Sequence, residues 1–326
     1  MKKAKFNQPL VEHIFTADPS AHVFEGKIYI YPSHDLDNGR ANELSGAHYA
    51  MEDYHVFSMD DIDQPVVDHG QILHMNDVAW VKNQMWAPDA AYKDGKYYFY
   101  FPARDENDIF RIGVATADSP TGPFIAEPNY IPGSYSIDPA VFIDDDGKAY
   151  MYVGGLRGGQ LENWETGEFV ADATEPTGDV PALMPYVAEM TDDMLTFKAG
   201  TQKKIQILTE NSHPLLASDL DRLYFEGPWM HKYNGKYYLS YSTGDTHYLV
   251  YATSDSPTGP FTYQGRILEP VVGWTTHHSI VEFNEKWYLF YHDAKFGGKD
   301  NLRTIKFREL HYNEDGTIKP MHPYED

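Results

Sequence analysis

One short phrase recurs five times along the chain: Glu25-Gly26-Lys27-Ile28-Tyr29, Asp94-Gly95-Lys96-Tyr97-Tyr98, Asp146-Gly147-Lys148-Ala149-Tyr150, Asn234-Gly235-Lys236-Tyr237-Tyr238 and Asn284-Glu285-Lys286-Trp287-Tyr288. Each copy sets a turn dipeptide and a lysine ahead of aromatic and aliphatic residues, the pattern of a strand, a tight turn and a second strand. Hairpins repeated roughly every 50 to 90 residues read as a β-propeller, because a four-stranded blade buries its faces only against its neighbours. Five copies predict an all-β, five-bladed propeller. Six to nine residues before the glycine position stand Asp18, Asp89, Asp138, Glu226 and His277, each at or near the start of the strand that feeds the turn. In a radial arrangement those strand starts converge on one axis.

A second repeat supports the count. Ala115-Thr116-Ala117-Asp118-Ser119-Pro120-Thr121-Gly122-Pro123-Phe124 returns as Ala252-Thr253-Ser254-Asp255-Ser256-Pro257-Thr258-Gly259-Pro260-Phe261. Its Ser-Pro-Thr-Gly-Pro core is turn chemistry, placed to join the third and fourth strands of two blades. The third blade is the weakest, with a long irregular stretch from Leu156 to Lys198. No linker or composition shift interrupts the repeats, so residues 1–326 are expected to form one propeller domain. The 25 Tyr and 6 Trp suit stacked sheets, with blade packing accounting for most of them.

A formal net charge of −23 makes nucleic acid or an anionic membrane surface an unsuitable partner and favours a neutral one. No stretch approaches the ~20 apolar residues of a membrane span, and the residues after Met1-Lys2-Lys3 are too polar for a signal-peptide core, so the expected location is cytoplasmic. Without cysteine, any catalysis rests on carboxylates, histidines or hydroxyls.

Three of the five axial residues are carboxylates beside proline or Gly-Pro: Asp18 in Ala17-Asp18-Pro19, Asp138 in Ile137-Asp138-Pro139 and Glu226 in Glu226-Gly227-Pro228. The following ring is expected to hold each acid's backbone extended and so to aim its side chain. A single Asp-Pro is ordinarily a turn, but three acids at equivalent repeat positions point to a shared site. Carboxylates gathered in a partly dry cavity cannot all ionise freely, which leaves one protonated and another charged, the acid and base pair of glycoside hydrolysis.

Taken in order, the five hairpins, the early Asp-Pro, Trp86-Ala87-Pro88-Asp89, Ile-Asp-Pro, Glu-Gly-Pro and His277-His278-Ser279 resemble glycoside hydrolase family 43 over nearly the whole chain. The resemblance implies five-bladed propellers acting on xylan and arabinan side structures with inversion of configuration. It makes Asp18 the general base, Glu226 the general acid and Asp138 the group that tunes the acid's pKa, with base and acid roughly 6.5–9.5 Å apart. It gives His277 as the holder of a divalent ion, calcium first, largely through waters, with His278 as the fallback; a histidine hydrogen-bonded in the core is the other reading. Asp89 becomes an acceptor for sugar hydroxyls. Trp86 offers a sugar platform or packs between blades, and Arg303 reaches a substrate hydroxyl or forms a surface salt bridge. Asp144-Asp145-Asp146 lacks the later glutamate of an EF-hand loop and reads as a turn. The loops 33–51 and 156–185 are long enough to rim the funnel.

The resulting expectation is an exo-acting β-xylosidase that trims short xylo-oligosaccharides, with α-L-arabinofuranosidase activity beside it. The chain ends too soon for a C-terminal β-sandwich, leaving pocket closure to a long loop or to a partner subunit of a homo-oligomer. Rival readings are an arabinan-directed hydrolase, a non-catalytic glycan-binding propeller and a retaining fructan hydrolase, whose mid-chain Arg-Asp-Pro is here Ile137-Asp138-Pro139.

Overall fold

The computed structural model describes residues 3–325. Among these residues, twenty strands form five sheets. Blade one contains β1 (Phe15–Phe24), β2 (Lys27–Asp35), β3 (Asp53–Met59) and β4 (Val67–His74); blade two contains β5 (Asp89–Lys93), β6 (Lys96–Arg104), β7 (Phe110–Ala117) and β8 (Ile125–Ala126). Blade three is β9 (Ala140–Ile143), β10 (Ala149–Val153), β11 (Tyr186–Glu189) and β12 (Lys203–Lys204). A short β13 (Ile207–Leu208) then runs parallel to the outer strand of blade four, which is β14 (Glu226–Tyr233), β15 (Lys236–Ser242), β16 (Leu249–Ser254) and β17 (Phe261–Leu268). Blade five has three strands, β18 (His278–Phe283), β19 (Lys286–Asp293) and β20 (Thr304–Leu310). Among the described residues the helices are four single-turn 3-10 segments.

The five repeated phrases are the first hairpin of each blade. Four of them turn on two consecutive left-handed residues: Glu25 and Gly26 (φ 52° and 75°), Asp94 and Gly95 (52° and 85°), Asn234 and Gly235 (48° and 76°), Asn284 and Glu285 (51° and 61°). This two-residue geometry matches the twist of paired strands. In blade three the loop is longer, Asp144 N–H donates to Lys148 O at 2.8 Å, and Lys232 Nζ meets Asp144 and Asp145 at 3.0 and 2.7 Å, which accounts for the acidic run as a turn. The Ser-Pro-Thr-Gly-Pro segments join β7 to β8 and β16 to β17 as expected. Tyr31 and Tyr152, from the second strands of blades one and three, donate to Pro120 O and Pro257 O of those turns at 2.7 and 2.6 Å. The tyrosines thus serve both purposes at once, filling the core with their rings and satisfying loop carbonyls with their hydroxyls.

Apolar side chains gather in clusters between adjacent blades, as radially packed sheets require. The ring closes where Ile28, Ile30 and Phe57 of blade one pack on Phe283, Phe290 and Phe307 of blade five. The segment before β1 adds to that seam: Asn7 N–H and Leu10 N–H donate to Phe307 O and Ile305 O of β20 at 3.3 and 2.9 Å.

Candidate active site

The acids reach the axis through distortions of the innermost strands. Pairing of β1 with β2 steps from Ala17 opposite Ser33 to Ser20 opposite Tyr31, and pairing of β14 with β15 steps from Glu226 opposite Ser242 to Trp229 opposite Ser240. The expected extended backbone is not found at Asp18 and Asp138, whose φ are 50° and 58°; Glu226 does open strand β14, and it is the following Gly227 that is left-handed, at 65°. The bulges in β1 and β14 need such a residue, and aspartate and glycine tolerate it, whereas Asp138 adopts it just ahead of β9. Gly227 is also required sterically, because a Cβ there would lie 2.9 Å from Cδ2 of His277.

Asp18, Asp138, Glu226, His277 and Arg303 all line one cavity of about 260 Å³ at the end of the axis. Asp18 accepts from Arg303 Nη1 at 3.2 Å and from the Ser33 hydroxyl. Its backbone N–H donates to His292 Nδ1 at 3.0 Å, while Nε2 of that ring lies 3.2 Å from Thr275 O, a pairing that needs neutral His292; burial drives its pKa down to about 3. Burial alone would raise the Asp18 pKa, but the Arg303 guanidinium, aided by the Ser33 hydroxyl, holds it down at about 2. Glu226 goes the other way. Burial, then the charge of Asp18, push its carboxyl up to about 8 against the pull of Arg303 and Arg157. Asp138 is also raised, by burial first and then by Glu226 and Asp18, although its Oδ2 accepts the Gly227 N–H at 2.9 Å. One permanently charged carboxylate therefore faces a pair that retains a proton near neutrality.

Arg303 is no surface residue. It is 3% exposed, it grips Asp35 with Nε and Nη2 at 2.9 and 2.7 Å, and its guanidinium carbon lies 4.7 Å from the centre of the Tyr49 ring. Trp86 borders the cavity but is 8% exposed: its indole N–H donates to Tyr49 O at 2.9 Å, and a Cβ on Gly46 would lie 2.4 Å from the ring. Packing holds most of its surface. Asp89 is a correction. Instead of facing substrate, it is 1% exposed and accepts from Ser20 Oγ, His22 Nε2 and Val141 N–H at 2.6, 2.7 and 2.5 Å, tying three blades together below the cavity.

His277 is 7% exposed, and neither ring nitrogen has a hydrogen-bond partner; Nε2 lies 3.8 Å from Asp138 Oδ2. A buried imidazole with two unsatisfied nitrogens, kept neutral by burial, fits a metal ligand. With no cluster of three ligand groups found around it among the described residues, the fit is to a hydrated ion held by one protein nitrogen. His278 is excluded as the fallback: it lies within β18, fully buried, with Nε2 2.5 Å from Ser240 Oγ.

Loops wall the cavity. Asn42 donates to Asp300 and Lys299 Nζ to Asp37 at 2.5 Å, joining the loops above blades one and five. Above blade two, Arg104 Nη2 donates to both Ser45 O and Gly158 O, at 3.4 and 3.3 Å. Arg157 makes a two-pronged bond to Asp245 at 2.7 and 2.8 Å, linking blades three and four. Both loops expected at the rim contribute to it. Trp274 and Phe225 also border the cavity, with ring centres 5.3 Å apart, and sequence reasoning missed them. Their signal was present, since Phe225 adjoins Glu226 and Trp274 shares the short loop that leads to His277.

A propeller whose axial pocket opposes a charged aspartate to a protonated glutamate defines a two-carboxylate glycoside hydrolase. Residues 6–318 match Glycosyl hydrolases family 43, and the chain belongs to that family. It is similar to xylosidase/arabinosidase 43A of Humicola insolens, 58% identical over 97% of this chain and 99% of that one. A xylosidase/arabinosidase of Bacteroides ovatus is 55% identical over 95% of each chain. Among solved structures, a family 43 β-xylosidase/α-arabinofuranosidase from a compost microbial metagenome, in complex with xylotriose and calcium-free, is 60% identical with a TM-score of 0.98 over 100% of both chains.

Proposed function

We propose that the protein is an exo-acting β-xylosidase with α-L-arabinofuranosidase activity, working on short xylo-oligosaccharides by single displacement. The opposed protonation of Asp18 and Glu226, imposed by Arg303 contacting Asp18, carries this reading. Glu226 donates its proton to the glycosidic oxygen as the bond to C1 breaks. Asp18 takes a proton from the water that attacks C1 from the opposite face, so a β-xyloside yields xylose first as the α-anomer. Asp138, hydrogen-bonded to Gly227 N–H beside the acid, is itself raised by burial and by the charges of Glu226 and Asp18, so the two neighbouring carboxyls do not both ionise and a proton is kept between them. The wall of inter-loop bonds supports exo action, since a continuous rim admits a chain end more readily than the middle of a polymer. The names of the relatives, which join xylosidase and arabinosidase, support the pair of pentose substrates.

His277 would hold a divalent ion, calcium first, through one ring nitrogen, with water completing the shell; the ion supplies positive charge beside the carboxylates. That a similar solved structure is described as calcium-free supports this. Calorimetry with calcium should show one binding event that His277→Ala removes, together with the loss of rate on chelation. Equal rates with and without chelator, and no binding heat, would reject the ion.

Proton NMR of xylobiose digestion tests the whole reading: α-xylose should appear before mutarotation, and β-xylose first would reject inversion. Asp18→Asn and Glu226→Gln should each lower kcat by about 10²-fold or more on xylobiose. On an aryl xyloside whose leaving group needs little protonation, Glu226→Gln should recover much of that loss and Asp18→Asn none. Equal losses on both substrates would contradict the assignment of the acid.

A further inference from the structure

Away from the cavity, blade one carries an alternating string of histidines and aspartates that the hydrolytic site does not use. His34 of β2, Asp53 and His55 of β3 and Asp68 of β4 come from three adjacent strands, and His13 reaches the same group from the segment before β1. Two-residue periodicity explains the separation from the active site. Ser33 and Asp35 turn inward to Asp18 and Arg303, so His34 between them turns to the other face. Asp53 and His55 share a face with Phe57, which packs against blade five.

One ligand atom from each of His34, Asp53 and His55 can be chosen so that all lie within 4.8 Å of one another. His34 Nδ1 and Asp53 Oδ1 are 2.6 Å apart, a hydrogen bond, whereas His55 Nε2 stands 3.6 Å from Asp53 Oδ2, too far for one. It is close to the ~3.4 Å that separates two ligands of a tetrahedral ion with bonds near 2.1 Å. His55 turns its other nitrogen, Nδ1, to Asp68 Oδ1 at 3.4 Å, and Asp68 is itself fixed by Gly70 N–H at 2.7 Å and His13 Nε2 at 2.7 Å. A carboxylate orienting the far nitrogen of an imidazole is the outer-shell arrangement of metal-binding histidines. The side chains of His34, Asp53 and His55 are 15, 12 and 17% exposed, shielded yet open to an entering ion.

We propose that His34, Asp53 and His55 form a second metal site, for a first-row divalent ion such as zinc, with water in the open position and Asp68 as the outer support. Two imidazoles and one carboxylate suit zinc, cobalt or nickel, and they do not suit calcium, which takes six to eight oxygens. The ligands stand on paired strands, so the site is preformed, and a bound ion clips β2 to β3 directly behind the residues that hold Asp18 and Arg303. Binding requires neutral imidazoles, so affinity falls as pH drops.

The full-length His277→Ala protein, which lacks the axial nitrogen, isolates this site for zinc titration by calorimetry. It should take up one zinc, its Tm should rise with zinc, and cobalt in place of zinc should give the visible absorption of a four- or five-coordinate centre. Adding His55→Gln, or separately Asp53→Asn, should weaken zinc binding by at least about tenfold, with Tm measured without metal showing that each variant is folded. Absence of zinc uptake by the His277→Ala protein overturns the site. So does retained affinity in either double variant, or a cobalt spectrum of a fully hydrated octahedral ion.

Discussion

Arg303 touches Asp18 and Asp35, and among the described residues it makes no hydrogen bond to Glu226, so its charge acts unequally on the two catalytic acids. That asymmetry separates their protonation at neutral pH and sets the pH behaviour. Asp18 stays ionised down to about 2, so the alkaline limb of kcat/KM belongs to the Glu226 pair and should fall as pH rises through about 8. A profile already falling below pH ~6 would contradict the acid's raised pKa. The same shift burdens the fold. Between the ordinary value of 4.5 and about 8, folded Glu226 binds a proton that the unfolded chain has released, so its contribution is full below 4.5 and is lost as pH climbs to about 8. Glu226→Gln should therefore raise Tm by a few degrees near neutral pH and by much less near pH ~4, while removing activity. Thermal melts at the two pH values check this. The Asp18, Asp138 and Glu226 set was legible as three acids at matching repeat positions. Their protonation was not, because it depends on Arg303, a residue 285 positions from Asp18 in the chain.

At the scale of single elements, the bulges in β1 and β14 carry the chemistry. Gly227 combines a left-handed φ of 65°, a hydrogen bond to Asp138 and a side-chain position already filled by His277. Gly227→Ala should cost about 1–3 kcal/mol in strain and displacement and lower kcat by about tenfold or more, with KM less affected. Urea unfolding and steady-state kinetics on xylobiose measure both, and a variant with parental kcat would show that the bulge does not position the site. Sequence reasoning found the hairpins and their turns because local chemistry dictates them: Asn-Gly and Asp-Gly supply the left-handed pair directly. It expected extended acids because proline disfavours the helical region, but proline does not reveal that the strand must also absorb an extra residue. Asp89 failed for a related reason. Its place in the repeat matched the other acids, yet Ser20, His22 and Val141 from the neighbouring blades had already occupied its oxygens.

For the whole molecule, closing the ring is the decisive event. Blade five has three strands, and residues 7–10 bond to β20 while blade one packs on blade five. Thr16 N–H also donates to Arg303 O at 2.9 Å, so the closing seam runs into the active site. Deleting residues 1–10 should cost ~2 kcal/mol from the lost bonds and apolar contact, lowering both Tm and kcat. Differential scanning calorimetry and xylobiose kinetics read the two effects, and unchanged values in both would remove the seam's role. Pocket depth also belongs to this scale, because each piece of the wall, such as Asn42 with Asp300 or Arg157 with Asp245, joins loops of different blades.

The amino-acid order alone determined the hairpins, the number of blades and the ring positions of Asp18, Asp138, Glu226 and His277, because turn dipeptides and strand alternation act over a few neighbouring residues. Only the tertiary structure decided which carboxyl holds a proton, that Asp89 and His278 turn away from the cavity, that Arg303 is buried, and how loops from all sides enclose the substrate's place. These depend on burial and on charges brought close from distant parts of the chain, and neither is expressed in local sequence.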